Sequence, residues 1–448
     1  MFNRIHVGVL CTLLCGVAEA ESLLDIYQMA VHNDFELKVA KSAYLVEKQS
    51  KYIARSRLLP QLTLQGTLGK SGSKIDTISS NPFSIQGELT SESDSKGYSI
   101  SLTQTVFDAS SYLTYEQTVL VDERSILELK NIEQKLILRV ADTYLQTLKA
   151  QEDYEISVET QDAFERQLKY AERKRLAGIA RVAEVNEARS SYYSASASVV
   201  SAKNLLNVLL ESLTVLTGQQ HKTLTQSLPK KMSPSAPVPS DIKHWVKSAY
   251  EHNLDIKVAR YREKEAHKAY KAQKAKHLPT VSAQLNFTDD VNNNRYNYAI
   301  PDKVFQDSWN ASISLTVPLY SGGLIKAESR EAFHRRNFQK HTYNQVRREV
   351  EQSIHSSYLD ILSGLASLEA RKVAVESGQK SLDSSELDYI SGLNDLRDLS
   401  AAQRLLFSDK LQYNDAVYSY FVSGLRLKEA AGVISFVDLE ILNQFLDD

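Results

Sequence analysis

Past residue 20 this chain has no cysteine, since its only two, Cys11 and Cys15, lie in a leading apolar stretch. Arg4, the run from Val7 to Val17 and the small-x-small pattern Ala18-Glu19-Ala20 read as a signal peptide over residues 1–20. Each cysteine follows a Leu, where lipid attachment wants a small residue, so neither is read as a lipid anchor. The exported chain then has no thiol for a disulfide, a metal or a nucleophile. Proline and glycine are scarce, at 9 and 16 of 448 residues, too few to punctuate several compact domains. A surplus of one charge is missing too: 53 basic and 55 acidic residues alternate finely, which excludes a nucleic-acid surface and suits long solvated helix faces. No segment after residue 20 reads as reaching the roughly 18 apolar residues of a membrane-spanning helix, so any crossing must use strands. The histidines show no metal spacing. Gly69-Lys70-Ser71 imitates the end of a phosphate-binding loop but has Leu64 where the first Gly is required. No catalytic residue, metal site or cofactor is expected, and the chain is not read as an enzyme.

What is present is one unit used twice. Phe35-Glu36-Leu37-Lys38-Val39-Ala40 answers Leu254-Asp255-Ile256-Lys257-Val258-Ala259, and Leu59-Pro60 answers Leu278-Pro279. Farther on, SISLTQTVFD at 99–108 answers SISLTVPLYS at 312–321, Gly178 answers Gly392, and Gly218 answers Gly432. The first copy is placed at 21–228 and the second at 241–448, with a Pro-rich linker at 229–240. Each copy starts with a helical segment, Ser22 to Leu59 in the first, that stops at a Pro. Strands are expected at about 61–71 and 98–107, then at about 280–288 and 309–319, each pair spanning a Gly/Ser/Asn-rich loop. Long helical hairpins follow at 109–217 and 324–432, the second leading into a C-terminal segment. From Ala109 to Ala177 there is no Gly or Pro, and Ile132, Leu136, Val140, Tyr144 and Leu148 recur at helical spacing. That stretch makes a helix of roughly 100 Å, which matches the first segment and the returning run stacked end to end beside it.

The strands lift this above a coiled-coil rod. Val281, Ala283, Leu285 and Phe287 alternate with Ser282, Gln284, Asn286 and Thr288, while Ile313, Leu315 and Val317 alternate with Ser312, Ser314 and Thr316. One face suits lipid and the other water, so Leu285, Phe287, Ile313, Leu315 and Val317 are expected to face lipid. A soluble antiparallel sheet also alternates. The polar face, however, holds uncharged Ser, Thr, Asn and Gln, and no third layer remains to cover the apolar one. Four strands cannot close a barrel, and an open edge in lipid leaves unpaired backbone groups, so the chain must associate. Eight, twelve or sixteen strands satisfy this equally.

With its duplicated unit, LP before the first strand and VPLYSGG after the last, the chain resembles the TolC family of outer-membrane efflux proteins from about Ser22 to Leu442. The resemblance implies a mostly α fold with a small transmembrane β part, forming a trimeric α-barrel/β-barrel duct in the outer membrane of a Gram-negative bacterium and reaching into the periplasm. It implies a homotrimer surrounded by outer-membrane lipid, with a periplasmic adaptor and an inner-membrane pump or ABC transporter as partners. It places adaptor docking at the hairpin tips Ala177-Gly178-Ile179 and Ser391-Gly392-Leu393. It places the entrance constriction at Tyr389 and Asp398, with Glu184 standing for an Asp of the first hairpin, Asn394 for the family's Arg and Ala401 for a second Asp. The charge lock is thus only partly present. A periplasmic coiled-coil scaffold without a channel is the alternative, and it leaves the amphipathic strands without a purpose.

Overall fold

The computed structural model describes residues 22–77, 87–229, 234–297 and 299–447. The expected signal peptide at 1–20, with Cys11 and Cys15, and linker residues 230–233 lie outside the described residues. The chain forms two compact units, each drawn from both copies of the repeat. One contains Ser22–Ser42, Glu128–Ile256 and Val346 onward, and the other contains Ala43–Leu127 and Lys257–Gln345.

The first helical segment is two helices rather than one: α1 Leu23–Asn33 and α2 Phe35–Ser56. Ser22 and Asp25 form a capping box that starts α1. The break falls at Asp34, whose carboxylate accepts the Leu37 N–H at 2.7 Å and so starts α2. After α3 (Ala109–Leu176) and α4 (Val182–Thr217), the second copy repeats the device between α5 (Ile242–His252) and α6 (Leu254–Ala275). There Asn253 Oδ1 accepts the Ile256 N–H at 2.9 Å. Sequence periodicity cannot register such a break, because the cap side chain replaces one helical turn without changing the apolar spacing.

Each junction meets a returning helix. Asn33 Nδ2 donates to the Thr217 carbonyl at the end of α4 at 2.7 Å. Asn253 Nδ2 donates at 2.9 Å to that of Ala430, the last residue of α8 (Leu396–Ala430), which follows α7 (Leu324–Ser391). The final helix is α9 (Phe436–Asp447). Beneath these junctions, Leu136, Val140, Tyr144 and Leu148 of α3 are buried with Leu213, Leu216, Val417, Leu425 and Leu439. Burying the Tyr144 hydroxyl requires a partner, and it donates to Gln226 Oε1 at 2.7 Å while Gln226 Nε2 donates to Asn443.

α4 corrects one expectation. An 18-residue window of it has a mean hydropathy of 1.4, long and apolar enough by composition to cross a membrane. Its buried residues Val185, Ala188, Ala195, Leu206, Leu210 and Leu213 fall on one stripe, the pattern of a helix lying against protein. The mean is high because Leu and Val recur closely through its second half, at Leu205, Leu206, Val208, Leu209, Leu210, Leu213, Val215 and Leu216.

The second unit holds the sheet, antiparallel in the order β1-β2-β3-β4, with β1 Gln61–Thr77, β2 Gly87–Phe107, β3 Thr280–Tyr296 and β4 Ala299–Thr316. The strands run well past the limits of 71, 98, 288 and 309 expected from alternation. Their added halves are mainly polar and charged, with Ile75, Val304 and Phe305 exposed among them, and are tied across the ladder by Lys74–Glu88 at 2.7 Å and Arg295–Asp94 at 3.4 Å. β4 stops at Thr316 rather than at 319, which leaves Val317 one residue beyond it.

Candidate functional site

Directly paired residues of an antiparallel ladder share a face, so the register tests the alternation read along each strand. Leu64, Ile100, Phe287 and Trp309 form one row, and Leu62, Leu102, Leu285 and Ala311 the next. Ala283 pairs with Ile313 and Val281 with Leu315, which continues the same face. On this face Leu285, Phe287, Ile313 and Leu315 are all exposed, Ile313 at 78% and Leu315 at 65%. Val317 is exposed as well, outside the strand. Gln104, the one polar residue in the apolar series, turns back on the main chain: its amide donates to the Leu58 and Thr105 carbonyls. The opposite face carries Ser282 and Ser314, whose hydroxyls lie 2.8 Å apart, with Gln284 and Asn286 alongside.

The apolar face has defined limits. Tyr98 stacks near Phe287, with ring centroids 6.2 Å apart, and Phe287 pairs with Trp309, so three strands place aromatic rings together. The next row on the same face is Tyr98, Asp289 and Asp307, where charge begins. From Trp309 to Leu315 the apolar span measures about 20 Å along the strand. Among the described residues, β1 and β4 each have one edge without a strand partner.

The hairpin tips are built by one turn used twice. In the first, the Gly178 N–H bonds the Arg175 carbonyl and the Ile179 N–H that of Lys174 at 2.9 Å. In the second, the Gly392 N–H bonds Tyr389 and the Leu393 N–H bonds Asp388 at 2.8 Å. This is the Schellman arrangement, and it needs the left-handed backbone that both glycines adopt, with φ of 74° and 77°. Ala177, Ile179, Ser391 and Leu393 are exposed around these turns. The charges differ: Arg173, Arg175 and Arg181 flank the first tip, while Asp388, Asp395 and Asp398 flank the second.

Behind the tips, the structure brings Tyr389 and Glu184 together. The Tyr389 hydroxyl donates to Glu184 Oε1 at 2.9 Å. Tyr170 meets the Tyr389 ring edge-on at 5.7 Å, and Lys174 Nζ sits over both rings, 4.9 Å from the Tyr170 centroid and 4.2 Å from that of Tyr389. Burial, then the hydrogen bond to Glu184 and its negative charge, hold the Tyr389 phenol well above the ordinary tyrosine range. Ala171, Val185, Leu382, Leu396 and Leu399 pack around the cluster.

Asp398 and Asn394 do not join this cluster. Asp398 is exposed in the first turn of α8, and among the described residues its carboxylate has no partner; only its N–H is used, donating to the Asp395 cap. Asn394 turns to Asp388 in its own loop, with Nδ2 at 3.4 Å. Tyr170 and Lys174 were not anticipated, although their i, i+4 spacing just before Gly178 puts both on one helix face.

A family model described as outer membrane efflux protein matches residues 26–219 and 245–433. The chain is 26% identical over 452 residues to the outer membrane protein TolC of Escherichia coli, covering 99% of this chain and 88% of that protein. It is 24% identical over 444 residues to the alkaline protease secretion protein AprF of Pseudomonas aeruginosa, covering 97% and 89%. Among solved structures, the CmeC outer membrane channel of Campylobacter jejuni superposes with a TM-score of 0.78 at 17% identity, covering 95% of this chain and 89% of that one. At that identity the likeness speaks for the fold.

Proposed function

Because this chain belongs to the outer membrane efflux protein family, whose members are outer-membrane channels extending into the periplasm, we propose that it is the exit duct of a tripartite efflux or type I secretion system. In this reading a periplasmic adaptor docks at the two hairpin tips and an inner-membrane pump or ABC transporter supplies the energy. The duct itself performs no catalysis and needs no cofactor. One observation carries the reading: a four-stranded sheet with an exposed apolar face and, among the described residues, one unpaired edge at each side. Such a sheet is stable in lipid only when neighbouring copies close it. Three copies supply twelve strands, the number the family resemblance favours. Mass measurement in mild detergent is the test, with a homotrimer expected and a stable monomer overturning the reading.

The entrance is assigned to the tip region. The Tyr389–Glu184 hydrogen bond fastens α7 to α4 within one chain, and opening requires breaking it or carrying both helices together. Under threefold symmetry Asp398 becomes a ring of three exposed carboxylates that attracts cations. Asn394 supplies no charge to that ring, so the resting entrance is held more loosely than one locked by Arg. Asp398→Asn is expected to lower cation selectivity, read from the reversal potential in asymmetric salt across planar bilayers.

A further inference from the structure

The rim where the strands join the helices has a charge imbalance that the duct function does not use. Within the sheet-bearing unit, β1 and β3 are entered from the C-terminal ends of α2 and α6, and β2 and β4 lead to the N-terminal ends of α3 and α7. Nearly every acid next to these joins is occupied. Asp108 accepts from the Ser110 and Ser111 N–H groups to start α3. Glu116 pairs with Lys268 at 2.6 Å, Asp122 with Lys51 at 3.2 Å, and Glu328 with Lys276 at 3.4 Å. Glu331 takes Arg335 at 2.7 Å.

The cations are not matched in the same way. Arg55, Arg57, Lys271, Lys274, Lys326 and Arg330 are all exposed, and none has an ion pair among the described residues. They lie within about three helical turns of the strand ends. α7 has no acidic residue in its first turn, so the partial positive charge of that helix start is left uncompensated at the same rim, whereas Asp108 compensates that of α3. Beside these cations the chain also exposes Tyr320 and Leu319, almost wholly, in the loop between β4 and α7, and Tyr112 near the start of α3. Exposed aromatic side chains next to an apolar strand face, followed by unpaired cations, are what a protein presents at the headgroup level of a bilayer.

We propose that this basic collar binds the phosphate of anionic phospholipid headgroups in the leaflet facing the periplasm, so that the chain selects its surrounding lipid. The inference rests on the reading of the sheet as membrane-inserted. Polybasic segments at a membrane surface gain roughly a fivefold bias toward anionic lipid per Lys or Arg, and the bias is screened by salt. Six such residues in each chain give a strong and salt-sensitive preference.

The test uses the full chain reconstituted in nanodiscs of phosphatidylcholine containing roughly a quarter phosphatidylglycerol, with bound lipid identified by mass spectrometry after mild extraction. The expected result is at least a severalfold enrichment of phosphatidylglycerol on the protein, lost in about 0.5 M salt, where screening acts within a few ångströms. It is also lost when Arg55, Arg57, Lys271, Lys274, Lys326 and Arg330 are all changed to Gln, and kept when Lys271→Arg, Lys274→Arg and Lys326→Arg preserve the charge. Equal lipid composition on the original chain and the Gln variant overturns the proposal, as does displacement of the lipid by millimolar inorganic phosphate. The same holds if the Gln variant changes only the anion permeability of the pore, which would put the collar in the lumen. A chain that conducts without enriching phosphatidylglycerol overturns this inference alone, whereas one that never enters the bilayer overturns the duct reading with it.

Discussion

On β4 the apolar side chains of Ile313 and Leu315 stand exposed along a strand, whereas at the hairpin tips Tyr389 and Leu396 are buried within a few residues of the exposed Leu393. The two regions obtain stability differently. In the sheet the chain supplies the backbone ladder and leaves the apolar face to be covered by its surroundings, so the face acts as a whole and any charge placed on it meets the full cost of the medium. At the tips a handful of named contacts does the work: one hydrogen bond, one ammonium over two rings and a small apolar cluster. Each can be removed singly at modest cost. An apolar face left for its surroundings to cover should tolerate little, and a cluster held by few contacts should open readily.

The strongest test of this contrast is Leu315→Arg against its neighbour Ser314→Arg. The first is expected to cost roughly 2 to 4 kcal/mol per chain and to impair insertion, and the second to insert normally and change conductance. Denaturant titration in liposomes, with single-channel recording, separates them; equal tolerance would mean that the faces are reversed. At the tips the expected effects are smaller. Tyr389→Phe removes a hydrogen bond to a carboxylate, worth about 1.5 kcal/mol, and raises the frequency of entrance opening in bilayer recordings. Combining it with Glu184→Ala adds little, because both changes delete the same contact, and a double-mutant cycle measures this directly.

Smaller again is Gly178→Ala. Nothing lies within 4 Å of the added methyl, so its cost comes only from the left-handed backbone, about 1 kcal/mol, and stays at the tip. Faster hydrogen exchange of the Ile179 and Ala180 amides, with unchanged exchange in the α1–α3 core, is the expected signature. The smallest effect is that of pH. The folded Tyr389 phenol titrates above its unfolded value of 10, so the contact with Glu184 contributes fully below pH 10 and is lost only as pH rises through the higher folded value. Phenolate absorbance should show a late-ionising group of tyrosines, Tyr418 among them, and this late phase should shrink by one tyrosine in Tyr389→Phe. If Tyr389 titrates at the ordinary value, the tip is open to water and the comparison with the sheet fails.

Much of the fold was legible because its signals are periodic and extended. The Gly- and Pro-free run beginning at Ala109 appears as α3, 68 residues long, and Gly178 and Gly392 turn both hairpins with positive φ. The strand alternation is likewise consistent across the half of the ladder nearest the helices, down to the pairing of Phe287 with Trp309. What escaped were local substitutions of one hydrogen-bond partner for another. The helix breaks at Asp34 and Asn253 keep the apolar spacing intact, and the charged outer halves of the strands alternate in no hydrophobic pattern. The hydropathy of α4 escaped for the opposite reason: its Leu and Val residues are interrupted by Lys203, Asn204, Asn207 and Glu211, so the mean is high without a continuous apolar run.

Of the residues proposed for the entrance, Tyr389 and Glu184 were named from the family resemblance, but their contact depends on how α7 and α4 pack. The same packing brings Lys174 over two tyrosine rings and leaves Asp398 and Asn394 outside the cluster. By itself the sequence determined the duplication and the helical and strand periods, because these follow from spacing along one chain. Only the tertiary structure decided the register that gathers one apolar face, the junctions at Asn33 and Asn253 where returning helices meet, and the imbalance of ion pairs at the rim. Each of these depends on distances between residues far apart in sequence, where several side chains compete for one partner and geometry selects among them.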